Sequence, residues 1–221
     1  MKPDGEPTAV PVLVLLVDDE HAVTEGLTWL LESVRIQSRA FDSPGALLKA
    51  LPAIKGPACA VVDMRMPEMT GLELQERLRD LGIELPIVFL TAHGDVPAAV
   101  RAMQGGAVDF MQKPFNPDAF LASVNRMIRL AQVRHELRQR RARLEELRAQ
   151  LTPREREVLG GLLRAQSSKE IARHIGINPK TIDVHRANLM RKLGVTRAGE
   201  LVALFSDDPG AGAHELSEGA M

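Results

Sequence analysis

The sequence has little cysteine and no long apolar run. Its 221 residues include one cysteine, Cys59, which excludes an intrachain disulfide and a cysteine-rich zinc site. The longest apolar runs, such as Val12–Val17, are far shorter than the roughly 20 residues that cross a bilayer. Residues 1–11 also lack the basic-then-apolar pattern of a secretory signal. We therefore expect a cytoplasmic protein without a membrane segment, in which Cys59 is a buried apolar side chain.

The net charge of −1 conceals an uneven distribution along the chain. Residues 1–125 carry 17 acidic and 10 basic side chains, a net charge of −7. Residues 126–150 carry 3 and 8, and residues 151–205 carry 5 and 10, so each segment has a net charge of +5. A basic segment suits a polyanion such as nucleic acid, and a solvated helix face is the alternative.

Short apolar or β-branched runs alternate with helical patterns from residue 12 to residue 125. The predicted strands are Val12–Val17, Gln37–Phe41, Ala58–Asp63, Ile87–Thr91 and Val108–Met111. The predicted helices are His21–Ser33, Ser43–Leu51, Gly71–Leu81 and Val96–Gln104, with a fifth that begins after Pro117. This alternation predicts an α/β domain, a doubly wound sheet of five parallel strands with helices on both faces. Residues 1–11 form an N-terminal extension.

Residues 126–150 are predicted to form a helical linker, because no proline or glycine interrupts Met127–Leu151. Leucine recurs every seven residues at 130, 137, 144 and 151. Arginine at 134, 141 and 148 weakens the second apolar row that a coiled coil needs. A weak dimer seam and a spacer whose leucines contact its own domains are both compatible with this pattern.

Residues 151–205 are predicted to form an all-α domain of four helices: Pro153–Arg164, Ser168–Ile175, Pro179–Leu193 and Arg197–Phe205. The second and third helices flank a tight turn at Gly176–Asn178, the pattern of a helix-turn-helix. Residues 206–221 lack periodicity and are predicted to be a disordered tail.

Five polar side chains stand at the carboxyl ends of the predicted strands. They are Asp18, Asp19, Asp63, Thr91 and Lys113. These ends share one edge of a parallel sheet, so we expect the five side chains to converge. Three carboxylates at one point repel each other unless a cation intervenes, and Mg²⁺ suits such hard oxygen ligands. One carboxylate could then attack a phosphoryl group, while Thr91 and Lys113 contact its oxygens. Singly, each residue could equally be a helix cap or an ordinary loop residue.

Four stretches resemble the receiver domain of response regulators, especially the FixJ-like branch: Val17–Glu20 (VDDE), Asp63–Gly71 (DMRMPEMTG), Leu90–Asp95 (LTAHGD) and Asp109–Phe115 (DFMQKPF). The resemblance covers residues 12–125 and implies a flavodoxin-like fold.

The resemblance also assigns roles to individual residues. It implies that Asp63 accepts a phosphoryl group from a sensor histidine kinase, with Thr91 and Lys113 assisting. Asp19 would bind Mg²⁺ directly and Asp18 largely through water, with Asp63 and the Arg65 carbonyl completing the protein's ligands. Thr91 and Phe110 match the family's switch pair, and Lys113-Pro114 matches a peptide bond that is usually cis.

The sequence lacks residues that two other α/β classes require. A nicotinamide-binding domain requires GxGxxG after its first strand, where this chain has Asp18–Val23 (DDEHAV). A haloacid-dehalogenase-type phosphatase requires a second acid two residues after its strand-end aspartate, and that position is Arg65.

Residues 151–205 resemble the LuxR-type helix-turn-helix at Leu151–Leu159 (LTPREREVL), Ser168–Ala172 (SKEIA) and Thr181–Leu193 (TIDVHRANLMRKL). The resemblance implies that the third helix enters the major groove. Ile182, Leu189 and Leu193 recur near helical spacing on its other face and are expected to be core. Predicted base-facing residues are Asp183, Val184 and Ala187. The residues predicted nearer phosphates, or otherwise available to the groove, are Lys169, Lys180, Thr181, His185, Arg186, Asn188 and Arg191. His185 could instead be a packed structural residue, and Asp183 could accept from a cytosine amino group or order Arg186.

We thus interpret the chain as a phosphorylation-dependent transcription regulator rather than an enzyme. Its expected partners are a sensor histidine kinase, double-stranded promoter DNA, RNA polymerase and, on activation, a second copy of itself, with no membrane partner. Two alternatives stay open at this point. One is a phosphatase with an appended basic domain, and the other is an adaptor that contacts protein without reading DNA.

Overall fold

The computed structural model describes residues 10–92 and 96–205. The chain divides into two compact units, Met1–Leu137 and Arg138–Met221. The predicted tail, residues 206–221, lies outside the described residues, as do residues 1–9 of the predicted N-terminal extension and residues 93–95. No helix within the described ranges is both long enough and apolar enough to span a bilayer.

The first unit contains one sheet of five parallel strands in the order β2-β1-β3-β4-β5. The strands are β1 Leu13–Val17, β2 Ser38–Phe41, β3 Ala58–Asp63, β4 Ile87–Thr91 and β5 Asp109–Gln112. The helices between them are α1 His21–Ser33, α2 Pro44–Ala50, α3 Gly71–Asp80 and α4 Val96–Gln104, and α5 Pro117–Ala149 follows β5. This topology confirms the predicted doubly wound fold.

The central strands β1, β3 and β4 are buried on both faces, which is why they are apolar along most of their length, whereas the edge strands β2 and β5 carry polar residues. Leu15 and Val17 of β1 join the core beneath α2 and α3, while Val14 and Leu16 join the core beneath α1 and α5. Cys59 is fully buried in the second core, and burial raises the pKa of its thiol to about 12. The thiol is therefore protonated at neutral pH, as expected of an apolar core residue.

Several element bounds differ from the predicted ones by one residue at an end. α2 is one residue shorter than predicted at each end, and after Ala50 it gives way to a single 3-10 turn over Leu51–Ala53. Pro52 explains the change, because a proline has no N–H to continue the α-helical hydrogen bonds. Gly71–Asp80 is fixed at its start by a capping box, in which Thr70 accepts from the Glu73 backbone and Glu73 accepts from the Thr70 backbone.

The predicted fifth helix and the predicted linker helix form one continuous helix, α5. Its first part belongs to the first unit, where Phe120, Val124 and Met127 are buried beneath the sheet. Arg134 donates to the Glu84 carbonyl at 3.3 Å. Arg134, one of the three arginines that weaken the coiled-coil pattern, thus holds α5 to the loop before β4.

The second unit contains the end of α5 and four helices: α6 Pro153–Leu163, α7 Ser168–Ile175, α8 Pro179–Leu193 and α9 Ala198–Phe205. Capping boxes at Thr152 and Ser167 begin α6 and α7. Gly176 ends α7 with a φ of 71°, a left-handed conformation that favours glycine and makes the tight turn into α8. The four-helix prediction is confirmed.

The linker leucines are divided between core and solvent. Leu144 and Leu151 are buried in the core of the second unit, together with Leu147. Leu130 is half-buried, whereas Leu137 is 48% exposed. Most of the heptad row therefore contacts the chain's own domains, which favours that alternative over a continuous dimer seam.

Candidate functional site

The five strand-end side chains lie on adjacent parallel strands. Asp18 and Asp19 directly follow β1, and Asp63 is the last residue of β3. Thr91 ends β4, and Lys113 follows β5. Because β1, β3, β4 and β5 are consecutive in the sheet, their carboxyl ends form one edge.

Lys113 joins two of the acids. Its Nζ lies 2.7 Å from Asp18 Oδ2 and 2.7 Å from Asp63 Oδ1. Its backbone N–H donates to the Thr91 carbonyl at 2.7 Å, and the Lys113-Pro114 peptide bond is cis. One ammonium group therefore bridges two carboxylates that come from distant parts of the sequence and offsets part of their charge.

Backbone N–H groups orient the other oxygen of each carboxylate. The Glu20 N–H donates to Asp18 Oδ1 at 3.0 Å, and the Arg65 N–H donates to Asp63 Oδ2 at 2.7 Å. Asp18 and Asp63 are buried, with 3% and 8% of their surface exposed. Both acids are thus held in place by the loops that follow their strands.

Burial and pairing compete at this edge. Burial raises the pKa of Asp18 above its ordinary value, and the hydrogen bonds from Lys113 and Glu20 offset only part of that rise. For Lys113 burial favours the neutral amine, but the hydrogen bonds to Asp18 and Asp63 outweigh it and raise its pKa. The charged Asp18 carboxylate therefore depends on nearby positive charge.

The remaining predicted residues differ in how far they are exposed. Thr91 is buried, Asp19 and Arg65 are exposed, and Phe110 is half-buried against the core beneath α2 and α3. Within the described ranges, no group of three His, Cys, Asp or Glu side chains is placed to hold a metal ion. The structure joins Asp18 and Asp63 through Lys113, and Asp19 forms no ion pair within these same ranges.

The donor set at this edge nevertheless fits a hard cation. Asp18 and Asp63 direct one oxygen each at the same ammonium nitrogen, so a positive charge at that point is favourable. Asp19 follows Asp18 directly and Arg65 lies two residues after Asp63, so a carboxylate and a backbone carbonyl are adjacent to these two residues in the sequence, and both Asp19 and Arg65 are exposed. Oxygen ligands with retained water are the environment that Mg²⁺ prefers.

Gly71 has a role at this edge that its motif alone did not reveal. A Cβ atom there would lie 2.6 Å from the Asp63 carbonyl oxygen and 2.9 Å from Phe89 Cε1. The start of α3 therefore packs directly against the end of β3, and only glycine fits without displacing backbone. The short spacing between Asp63 and the first residue of a helix is the signal that could have indicated it.

A second polar network adjoins Phe110. Asp109 Oδ2 accepts hydrogen bonds from the Ser123 hydroxyl and from Arg126 Nη2, while Asp109 Oδ1 accepts from the Phe110 N–H at 2.9 Å. Ser123 is buried. The sequence did not indicate this network, because Asp109 and Ser123 come together only when β5 packs on α5.

The outer surface of α8 carries most of the predicted nucleic-acid contacts. Ile182, Leu189 and Leu193 are buried, as expected of the core side of this helix. The exposed predicted residues are Lys169, Lys180, Thr181, Asp183, Val184, Ala187 and Arg191. His185, Arg186 and Asn188 are half-buried, and Asn188 accepts a hydrogen bond from Arg191.

The Asp183 carboxylate is held by the neighbouring helix. The Ser168 hydroxyl donates to Asp183 Oδ1 at 2.8 Å. Among residues 10–92 and 96–205, Arg186 forms no ion pair with Asp183 or with any other carboxylate. Asp183 is therefore oriented by a hydrogen bond from Ser168 on α7 and does not order Arg186 through an ion pair.

Two family models match the two halves of the chain. Residues 14–125 match the response regulator receiver domain, and residues 149–205 match the bacterial regulatory proteins of the luxR family.

Similar proteins extend over most of the chain. The transcriptional regulatory protein FixJ of Bradyrhizobium diazoefficiens is 40% identical, with 86% of this chain and 93% of that protein covered. The transcriptional regulatory protein TdiR of Thauera aromatica is 38% identical over 86% of this chain and 83% of its own. Among solved structures, the response regulator StyR has a TM-score of 0.76 at 40% identity, covering 89% of this chain and 99% of that one. Full-length FixJ from B. japonicum has a TM-score of 0.53 at 40% identity, covering 88% and 95%.

Proposed function

The chain belongs to the response regulators of two-component systems that join a receiver domain to a LuxR-type DNA-binding domain, and from that premise we propose that Asp63 is the phosphoacceptor whose modification controls DNA binding. One observation carries the assignment to Asp63. Its carboxylate ends β3 and shares Lys113 with Asp18, while its second oxygen accepts from the Arg65 N–H. Asp42, the acid that follows β2, lacks such a constellation among the described residues.

The proposed chemistry is phosphoryl transfer from a histidine of the sensor kinase. A carboxylate oxygen of Asp63 attacks phosphorus, the P–N bond breaks, and its electron pair remains on the imidazole nitrogen of the kinase. An acyl phosphate is left on Asp63. The Lys113 ammonium, already 2.7 Å from Asp63, and the Thr91 hydroxyl at the adjacent strand end would contact the transferred oxygens.

Mg²⁺ is the proposed cofactor, and its ligands would come from Asp18, Asp19, Asp63 and the Arg65 carbonyl. When bound, the ion neutralises charge between the acids and the phosphoryl oxygens. The residues themselves hold the geometry: Glu20 and Arg65 donate backbone N–H groups that orient Asp18 and Asp63. Lys113 Nζ donates to both acids at 2.7 Å.

The proposed switch runs from Thr91 to Phe110. The Thr91 hydroxyl would move toward the phosphoryl group, and the half-buried Phe110 ring would turn inward behind it. Phe110 is bound through its N–H to Asp109, whose carboxylate is anchored by Ser123 and Arg126. That anchor would let the ring turn while the β5 backbone stays in place.

Phosphorylation is proposed to favour a homodimer through the α4 and β5 surface. Val96, Val100 and Met103 of α4 are exposed by 70%, 48% and 48%, respectively. Apolar side chains grouped on one helix face are typical of an interaction surface. Two copies would bring two DNA-binding domains to two half-sites, so the second contact becomes effectively intramolecular.

The second unit is proposed to read promoter DNA through α8. Lys169, Lys180 and Arg191 are exposed and cationic, as expected of phosphate contacts, while Val184 is 59% exposed and apolar. Arg186→Ala should weaken binding to target and scrambled duplexes equally and reduce the salt slope by about one contact. Val184→Ala should instead change base preference. RNA polymerase is the further partner proposed, and self-phosphorylation is the only catalysis proposed.

Intact-mass measurement tests the assignment of Asp63. With Mg²⁺ and a small-molecule phosphodonor, the wild type should gain one phosphoryl group, and chelation of Mg²⁺ should prevent it. Asp63→Asn should gain none, while Asp42→Asn, which also replaces a strand-end acid, should label normally. Equal labelling of wild type and Asp63→Asn would contradict the proposal.

A further inference from the structure

The hydrogen bond between Ser168 and Asp183 joins the two helices of the helix-turn-helix at its outer surface. Ser168 Oγ, at the first position of α7, donates to Asp183 Oδ1 on α8 at 2.8 Å. Both residues lie outside the buried cluster of the second unit, and Asp183 is exposed. The bond therefore fixes a side chain that is available to solvent rather than one needed for packing.

Capping does not require the Ser168 hydroxyl. Ser167 is the N-cap of α7: its Oγ accepts from the Glu170 N–H at 3.3 Å and donates to Glu170 Oε2 at 2.7 Å. The free N–H at the start of the helix is thus already satisfied by the neighbouring serine. The Ser168 hydroxyl is therefore available to donate to Asp183.

Asp183 is an acid on an otherwise basic surface. Lys180 and Arg186 lie three residues before and after it on α8, yet within residues 10–92 and 96–205 Asp183 forms no ion pair, and Ser168 is its only hydrogen-bond partner. Its Oδ2 atom is consequently an acceptor without a donor in the described part of the chain. An unneutralised carboxylate facing DNA is repelled by phosphate and is favourable only where a base offers a donor.

The major-groove edges of the four bases limit which base can donate a hydrogen bond to Asp183. Guanine presents two acceptors and thymine presents an acceptor and a methyl group, so both disfavour a carboxylate. Adenine presents its amino group beside the N7 acceptor of the same base, whereas cytosine presents its N4 amino group and no acceptor on its own major-groove edge. A carboxylate held in one orientation therefore favours cytosine.

We propose that Ser168 is a positioning residue that orients Asp183 as a cytosine-selective acceptor at one position of each half-site. This inference rests on the proposed DNA-binding function and adds a residue and a base to it. Holding Oδ1 in place before binding reduces the side-chain freedom that Asp183 loses when Oδ2 meets the base.

The test is base preference measured with the phosphorylated full chain. A duplex library with a randomised half-site identifies the preferred sequence, and matched duplexes that differ at one base pair then give relative affinities. For the wild type we expect one position where cytosine is favoured by about fivefold, the low end of a good base contact. Ser168→Ala should reduce that preference to about twofold without changing other positions. Ser168→Thr, which keeps the hydroxyl, should retain it.

Variants of Asp183 give an independent readout. Asp183→Asn should move the preference at that position from cytosine to adenine, because an amide can pair with adenine N6 and N7. Asp183→Ala should remove the preference and strengthen binding to scrambled duplexes, because a repelling charge is lost. Ser168→Ala should leave scrambled binding unchanged.

Ser167→Ala is the matched control, because it removes the adjacent hydroxyl and the helix cap. It should lower the Tm without altering base preference, whereas Ser168→Ala should alter preference with little change in Tm. The inference is wrong if Ser168→Ala retains the wild-type preference at every position, or if it weakens all duplexes alike. Absence of any DNA binding by the phosphorylated wild type would instead contradict the proposed function, and this inference with it.

Discussion

Lys113 Nζ lies 2.7 Å from Asp63 Oδ1, although 50 residues separate the two along the chain. The same nitrogen is 2.7 Å from Asp18 Oδ2. The Lys113 ammonium group thus interacts electrostatically with both acids. A phosphoryl group added to Asp63 would place new anionic oxygens beside this ammonium group, so Lys113 links the proposed modification to the end of β5.

Replacement of Lys113 should impair phosphorylation more than folding. Lys113→Ala removes the only cation that the described residues direct at Asp63, so labelling by a small phosphodonor should slow by about 100-fold, the effect of losing one electrostatic contact to the transferred group. Initial rates of phosphoryl incorporation measure this. Lys49→Ala, which replaces an exposed lysine of α2, is the control and should label like the wild type. An unchanged rate in Lys113→Ala would remove Lys113 from the proposed mechanism.

Gly71 should resist substitution even by alanine. The added Cβ would meet the Asp63 carbonyl oxygen and the Phe89 ring, and relieving that overlap should cost about 1–3 kcal/mol in the free energy of unfolding. Gly26→Ala is the matched control, because no atom lies within 4 Å of its added Cβ and an exposed helical glycine gains about 0.5–1 kcal/mol on becoming alanine. Chemical denaturation gives both values. Equal effects of the two substitutions would show that Gly71 does not need the close approach.

The alternation of short apolar runs with helical patterns explains why so much of the fold was predictable. The apolar runs of β1 and β3 are buried on both faces, and the cap at Thr70 marks the start of α3 in the sequence. Parallel strands place their ends on one edge, so Asp18, Asp63 and Lys113 could be grouped in advance. Local pattern and tertiary fold agree at each of these residues.

Side-chain pairing between distant segments was harder to predict from the sequence. That Lys113 contacts both acids, that Asp109 binds Ser123, and that Ser168 orients Asp183 all depend on how two elements pack. The fifth helix and the linker helix were predicted as separate elements, although no proline or glycine separates them and the structure joins them in α5. Tertiary contacts, rather than helical propensity, decide which leucines of that helix are buried.

The DNA-binding unit should require residues before Arg148. Leu144 and Leu147 are 4% and 7% exposed and lie in the core of the second unit. A fragment that begins at Arg138 should therefore fold more stably than one that begins at Arg148, and Leu147→Ala in the full chain should cost about 2–5 kcal/mol. Thermal unfolding of the two fragments measures the difference. Leu137→Ala, at the 48% exposed position, is the control and should have little effect. Equal stability of the two fragments would exclude α5 from this core.

Glu155 should make the second unit sensitive to acid. Its carboxylate contacts Lys192 Nζ at 2.6 Å and the Thr152 N–H at 2.8 Å, and these hydrogen bonds lower its pKa from 4.5 to about 2. A pKa lowered by folding stabilises the native state fully above about pH 4.5, and this contribution is lost as the pH falls from about 4.5 to about 2. Glu155→Gln should therefore cost about 1–3 kcal/mol at neutral pH, and progressively less below pH 4.5.

Glu157→Gln provides the control for this measurement. Glu157 pairs with Arg154 at 2.7 Å, but both side chains are about half exposed, so its loss should change stability by less than about 1 kcal/mol. Urea titrations at several pH values would follow both variants. A difference between Glu155→Gln and wild type that persists unchanged down to pH 2 would contradict the role given to the Glu155 carboxylate.

DNA affinity measured before and after phosphorylation is the most direct test of control by Asp63. Wild-type protein, incubated with Mg²⁺ and a small phosphodonor and checked by intact mass, is titrated onto a duplex carrying two selected half-sites, beside Asp63→Asn treated identically. We expect phosphorylation to strengthen binding by the wild type and to leave Asp63→Asn at the unphosphorylated affinity. Tighter binding by Asp63→Asn after the same treatment, or no change in the phosphorylated wild type, would contradict control of DNA binding by Asp63.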